Sequence, residues 1–233
     1  MPVTITASEK FTYTVTINTG THNGIVQLNL NASGTGIADL VGNVMTTGFT
    51  IGQFYTITAP AATVTSVTSS TANGTYKAGD AVAVQVNFSE AVIVTGTPQL
   101  QFSTGTTNQQ ANYSGTGSGT TALTFNYTVQ PGDNTTDLDY LSTTALTLNS
   151  GTILNNAGTA TTLTLPAPGT TNSLGANKDI VIDTQAPQVL SINRANTSPT
   201  IPSSTVNFTV NFSEGVTGVD QADFTLALIA GSN

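Results

Sequence analysis

The chain runs to 233 residues, enough for about two domains, yet only 7% are charged, twelve acidic against four basic, for a net charge of −8 at pH 7. Lys10, Lys77, Lys178 and Arg194 are scattered, so no basic patch exists to neutralise phosphates, and nucleic acid and anionic membranes are poor partners. Cysteine is absent, which removes disulfides, thiolate metal sites and cysteine nucleophiles, and no apolar run reaches the roughly 20 residues that span a bilayer.

Thr and Val favour strands, Gly and Asn favour turns, and helix formers such as Glu, Lys, Arg and Met are scarce, so the expected class is all-β. In chain order, Phe11-Thr-Tyr-Thr-Val-Thr-Ile17 alternates strictly and predicts a half-buried strand with Phe11, Tyr13, Val15 and Ile17 inward. A turn at 18–24 precedes strands at 25–30 and, after a Gly-rich loop, 54–57. Ala59-Pro60 reads as a boundary. A complete unit then follows over 59–186, with strands expected at 63–68, 81–88, 98–103, 109–114, 121–129, 145–148, 161–165 and 179–183. Turn signals at Asn73-Gly74, Gly115 to Gly119 and Pro131-Gly132 separate them. After Ala186-Pro187 come strands near 188–193, 205–212 and 223–228. Many short strands with regular turn signals predict a β-sandwich or barrel.

The pentapeptide Val-Asn-Phe-Ser-Glu occurs at 86–90 and again at 210–214. Each copy ends an alternating strand, and each is preceded by an Ala-Pro pair and a short Val/Ile-rich run. The pattern predicts a tandem array of sandwich-sized units. Segment 187–233 reads as the first half of such a unit and segment 1–58 as a second half. The chain is therefore expected to be one window on a longer repetitive protein.

Gly74-Thr-Tyr-Lys-Ala-Gly-Asp80, Val86–Glu90, the run from Pro131 to Tyr140 and the run from Leu174 to Pro187 resemble one repeat type of the bacterial immunoglobulin-like repeats found in giant surface adhesins and other long secreted proteins. The run from Phe208 to Phe224 and Ile37-Ala-Asp-Leu-Val-Gly-Asn43 resemble a companion type. The resemblance implies tandem immunoglobulin-like β-sandwiches, the terminal ones incomplete, in an extracellular stalk or lattice on a bacterial surface. Calcium at domain junctions is common in such proteins. Asn155-Asn-Ala-Gly-Thr159 departs from the family's carboxylate-bearing loop, and Thr58 stands where the second junction has Asp183.

The chemistry of catalysis is nearly absent. The single histidine, His22, lies in a turn, the serines have no His and Asp partners, and Trp is missing, so the chain reads as non-enzymatic. Carboxylates stand out in so uncharged a chain. Up-and-down strand alternation puts Asp133, Asp137, Asp139, Asp183, Glu214, Asp220 and Asp223 around the junction between the second and third segments. Calcium takes six to eight oxygens and would relieve their repulsion. The competing reading is a set of separate, solvated loop acids that keep the array soluble.

Each end segment would expose a bare sheet edge, and such edges recruit strands. The expected partners are other copies or adjacent repeats, through pairing of Val206–Phe212 or Phe224–Leu228 with Phe11–Ile17 or Ile25–Leu30. The leading functional expectation is a structural stalk or head-to-tail filament; the alternative is an adhesive module for carbohydrate or a cell-surface receptor.

Overall fold

The computed structural model describes residues 2–9, 11–21, 23–32, 34–105, 107–197 and 205–227, so His22 and Lys10 lie outside the described residues. Strand makes up 44% of the chain and helix 3%, which settles the class as all-β. The chain divides into two compact units, 1–184 and 185–233. The division falls at the Ala186-Pro187 linker, and segment 1–58 belongs to the first unit.

Unit 1 opens with two ribbons. The first pairs β1 (Val3–Glu9) with β2 (Thr12–Ile17), and the second pairs β3 (Gly24–Gln27) with β4 (Phe54–Ile57), both antiparallel. The alternation of β2 is real, but its burial departs from expectation: Phe11 is 94% and Tyr13 63% exposed, and only Val15 and Ile17 are half-buried. Alternation specifies an apolar face; something must still be packed on it to bury it. β1 occupies the strand-like run that follows Met1.

The rest of unit 1 holds β5 (Val64–Ser69), β6 (Gly74–Tyr76), β7 (Ala81–Thr95), β8 (Gln99–Ser103), β9 (Gln109–Tyr113), β10 (Thr120–Thr128), β11 (Asn134–Thr135), β12 (Asp139–Tyr140), β13 (Leu146–Thr147), β14 (Thr152–Asn155) and β15 (Ile180–Asp183). An eight-stranded sheet runs β12–β8–β9–β10–β7–β14, with β13 also on β8 and β5 also on β7. A three-stranded sheet runs β11–β15–β6. One hydrophobic core joins them: Val67, Val84, Val86, Leu123, Phe125 and Tyr127 from the large sheet, Ile180 and Ile182 from the small one. The four-residue helix α1 (Leu174–Asn177) is capped by the buried Ser173, whose Oγ accepts from Ala176 N, and Asn177 Nδ2 donates to Val67 O.

Two elements correct the sequence reading. The strand expected at 161–165 is only extended chain held by isolated bridges, Leu154 to Ala160 and Thr63 to Thr162, although Leu165 is buried. The strand expected at 81–88 continues to Thr95. Its pairing on β10 jumps from Asn87 opposite Ala122 to Val92 opposite Thr120, so Phe88–Ala91 forms a bulge. The Ser89-Glu90 of the repeated pentapeptide sits in that bulge, and beyond it β7 pairs with β14.

Among its described residues unit 2 contains β16 (Val189–Arg194) and β17 (Phe208–Phe212), antiparallel, and a 3₁₀ turn at Gln221–Asp223. The strand expected at 223–228 is not formed over its described residues: the turn takes Asp223, and 224–227 have no strand partner. Leu228 lies outside the described residues.

β16–β17 repeats β5–β7 closely. Val189 faces Phe212, Ser191 faces Asn211 and Ile192 faces Val210; in unit 1 Val64 faces Phe88, Ser66 faces Asn87 and Val67 faces Val86. Both hairpins carry the same register slip after the first pair. Both also share an Asn-to-Ser side-chain bond, Asn211 Nδ2 to Ser191 Oγ at 2.9 Å and Asn87 Nδ2 to Ser66 Oγ at 3.0 Å. The serine of the pentapeptide accepts from the backbone in both, Gln188 N to Ser213 Oγ and Thr63 N to Ser89 Oγ.

Candidate functional site

The carboxylates fall into four groups. Asp133 is 1% exposed, and its Oδ2 accepts from Tyr127 Oη at 2.6 Å and Gln130 N at 2.8 Å while Oδ1 accepts from Gln109 Nε2 at 2.9 Å. Both oxygens are therefore spent on tying β10, the turn after it and β9 together. Burial first, and Asp133 second, push the Tyr127 phenol well above its usual range.

Asp183 pairs in register with Asn134 at one end of β15, and Thr184 Oγ1 bridges Gly132 N and Asp133 O. The Pro131–Asn134 turn and Asp183 thus share one end of unit 1, as the alternation argument required. Asp137 and Asp139 do not join them. Leu138 N donates to Ile180 O, at the far end of β15, and an atom at the Cβ position of Gly175 would lie 3.0 Å from Asp137 Oδ2 and 3.1 Å from Asp139 Oδ2. The Asp137 carboxyl is pushed up by partial burial first, then by the charges of Asp139 and Asp179. Asp139 also accepts from Gly169 N at 2.9 Å.

In unit 2, Asp220 and Asp223 cap the 3₁₀ turn reciprocally, Asp220 Oδ1 accepting from Ala222 N and Asp223 Oδ2 from Asp220 N. Glu214 is exposed. Among the described residues no three acidic or imidazole side chains converge as a metal-binding group.

A dense polar network lies at the Thr58–Pro60 boundary. Asn155, 2% exposed, donates from Nδ2 to Pro60 O at 2.9 Å and Glu90 Oε1 at 3.1 Å, and accepts at Oδ1 from Ala157 N and Thr159 N. Asn23, from the turn after β2, accepts at Oδ1 from Ala59 N at 2.6 Å and donates to Ala157 O at 2.8 Å and Thr159 Oγ1 at 2.9 Å. Asn23 thus ties segment 1–58 to the complete domain, and Asn155 ties the start of that domain at Pro60 to the Glu90 bulge. Each amide offers both a donor and an acceptor, which lets it bridge carbonyl and N–H groups without a cation. Asn155 was legible as a position where the repeats that the sequence resembles carry a carboxylate; nothing local in the sequence marked Asn23 or Glu90 as its companions.

The loop carrying Asn155 also has a twin. Asp39 Oδ1 accepts from Val41 N and Asn43 N, and Asp39 N donates to Asn43 O; Asn155 Oδ1 accepts from Ala157 N and Thr159 N, and Asn155 N donates to Thr159 O. A further bond from Asn43 Nδ2, the leading cause, and the backbone bonds hold the Asp39 carboxyl below its usual range.

Apolar surface is the other feature. In unit 2, Ile192, Phe208, Val210, Phe224 and Leu226 line an open groove of about 540 Å³. Their counterparts Val67, Val84 and Val86 in unit 1 are fully buried. No described helix is long and apolar enough to cross a membrane. No family model, curated protein or solved structure matches the chain.

Proposed function

We propose that this chain is a structural member of an extracellular repeat array, built from tandem immunoglobulin-like sandwiches and serving as a stalk or filament on a bacterial surface. The observation that carries the reading is the internal duplication: two hairpins with the same register, the same slip and the same side-chain bonds, each placed directly after an Ala-Pro linker. A chain that repeats a folding unit in series, with little charge and a junction locked by amides, is suited to spacing rather than to turnover.

Calcium is proposed to stiffen the array. Asp133, Asp220 and Asp223 fit that role poorly, since their oxygens are engaged by the chain's own donors. Asp139 is likewise engaged, by Tyr140 N and Gly169 N, so Asp137, with Asp139 and Asp179 nearby, fits it better, and Asp183 and Glu214 are the carboxylates that flank the Ala186-Pro187 linker in sequence. A divalent cation would relieve the mutual repulsion of Asp137, Asp139 and Asp179.

Small-angle scattering with and without calcium tests the proposal. An elongated particle, with a chelator lowering the melting temperature, is expected. A compact, isotropic particle would defeat the array reading, and melting indifferent to chelator would defeat the calcium reading alone.

A further inference from the structure

The sequence has two Asn-Gly dipeptides, Asn23-Gly24 and Asn73-Gly74. Asparagine before glycine is the pair most open to attack by the chain on itself. The backbone nitrogen that follows the asparagine can reach its side-chain carbonyl carbon, and glycine sets no Cβ in the way. All four residues are exposed, so exposure does not separate the two dipeptides. Their hydrogen bonds do.

The Asn23 carboxamide is held on both sides. Its Oδ1 accepts from Ala59 N at 2.6 Å, and its Nδ2 donates to Ala157 O at 2.8 Å and Thr159 Oγ1 at 2.9 Å. Ring closure turns the amide out of the plane that these three bonds fix, so it proceeds only at their expense. The Asn73 carboxamide has no hydrogen-bond partner among the described residues. The turn around it is pinned on either side, by Thr71 Oγ1, which accepts from Ala83 N at 2.9 Å, and by Tyr76 Oη, which donates to Ala72 O at 2.8 Å. Gly74 has φ +151°, which residues with side chains rarely adopt, and nothing lies within 4 Å of where its Cβ would stand. The space beside the attacking nitrogen is therefore open. One bond guards that nitrogen, Gly74 N to Asp179 O at 3.0 Å. It is the first bond of the three-residue β6, an edge strand in the order β11–β15–β6, and such an end opens locally at small cost.

We infer that Asn73 is a site of spontaneous deamidation and backbone isomerisation, and that the boundary network shields Asn23 from the same reaction. Gly74 N gives its proton to solvent and bonds to Asn73 Cγ. The Cγ–Nδ2 bond breaks, and the side-chain nitrogen leaves as ammonia with a proton from water. Water then opens the five-membered imide at one of its two carbonyl carbons. Opening at Cγ yields aspartate; opening at the backbone carbonyl yields isoaspartate, with the main chain running through Cβ. The sum is one water consumed and one ammonia released.

Isoaspartate lengthens the main chain by one carbon at position 73. The Tyr76 Oη to Ala72 O bond spans that position, and Gly74, Thr75 and Tyr76 stand opposite Ile180, Val181 and Ile182 of β15. The extra carbon puts the turn and that register out of step, which loosens the edge of the small sheet. At Asn23 the same reaction would remove the amide that ties segment 1–58 to the complete domain.

The full-length chain is held folded in mildly alkaline buffer for weeks, beside a sample unfolded in guanidinium chloride. Chymotryptic cleavage after Leu28 and Tyr55 puts the two dipeptides on different peptides. Tandem mass spectrometry reads the converted fraction of each, and methyl transfer by an isoaspartyl methyltransferase counts the isoaspartate. In the folded chain Asn73 is expected to convert about ten-fold or more faster than Asn23, while in the unfolded chain the two rates are expected to agree within about three-fold. A folded ratio no larger than the unfolded one, or no conversion of Asn73 in the folded chain, overturns the inference. Aged wild type is expected to melt below fresh protein. Asn73→Gln, whose longer side chain would have to close a six-membered ring, is expected to keep its melting temperature through the same incubation. Converted wild type that melts with the fresh sample, or a decline that Asn73→Gln shares, overturns the loosening of the small sheet.

Discussion

Replacing Asn155 with Asp changes one buried NH2 group to oxygen and leaves the shape intact. The two acceptor bonds at Oδ1, from Ala157 N and Thr159 N, survive. The two donor bonds, to Pro60 O and Glu90 Oε1, do not, and both oxygens then face a carboxylate. A lost neutral bond costs about 0.5–1.5 kcal/mol and one to a charged group about 1.5–3, so the loss is about 2–4 kcal/mol. Repulsion from Glu90 adds little, because that side chain is exposed and screened. For a chain of this length a loss of that size lowers the melting temperature by roughly 5–15 °C. The introduced carboxyl sits among oxygens in a buried place, so its folded pKa is raised above the unfolded value. Its charge-dependent penalty is therefore complete above the folded pKa and disappears as pH falls toward the unfolded value near ~4, leaving the loss of one donor bond, since a protonated carboxyl has one O–H where the amide has two N–H. Urea denaturation of both chains at several pH values measures this. A deficit below ~0.5 kcal/mol at pH 7, or one that grows as pH falls, would refute the assignment of Asn155 as the donor that closes this boundary.

Asp133→Ala strips the acceptors of Tyr127 Oη and Gln130 N in a fully buried place and is expected to cost about 3 kcal/mol or more in urea denaturation, with Asp133→Asn costing less because one acceptor oxygen remains. Asp137→Asn removes the member of the Asp137–Asp139–Asp179 group whose carboxyl is pushed up; the folded state binds that proton more tightly than the unfolded one, so the wild type loses stability as pH rises through the raised folded value. The variant should match or exceed wild type at neutral pH without calcium, with the difference vanishing below the unfolded value near ~4; a variant that is less stable at pH 7 would contradict it. Phe125→Ala empties a fully buried site and should cost about 3–5 kcal/mol, whereas Phe208→Ala, at a half-exposed position equivalent to the buried Val84, should cost under ~1 kcal/mol. Equal costs at the two positions, read by denaturation at low protein concentration, would mean that the second hairpin is already covered within one chain.

How much could be read from residues alone is clear at particular places. The strand at Phe54–Ile57 was legible to the residue, and those beginning at Ala81, Gln99 and Gln109 to within a residue at the start, because alternation of Val, Phe and Leu with Thr, Asn and Gln is a local signal and turn glycines bound it. The duplicated pentapeptide was legible as a repeat, and its two copies do occupy equivalent strands. Short strands were missed at 74–76, 134–135, 139–140 and 152–155 because two to four residues carry no period. The run 161–165 alternates like a strand yet finds only single bridges, since pairing depends on a neighbour that may be hundreds of atoms away along the chain.

Local pattern determined which residues share a face, where turns fall and that one hairpin occurs twice. Tertiary structure decided what lies on each face. Val84 is sealed because β10 and the small sheet cover it, while Phe208, with the same pattern around it, stays half in solvent. It also decided the fate of the carboxylates. Asp133 turns inward to Tyr127, Asp137 and Asp139 gather at Gly175 on the far end of β15 from Asp183, and Asp220 caps a turn. Charge and sequence spacing are the same in every arrangement of these acids. Only the register of β11 and β15, set by which backbone groups pair across the sheet, determines which of them come within reach of one another.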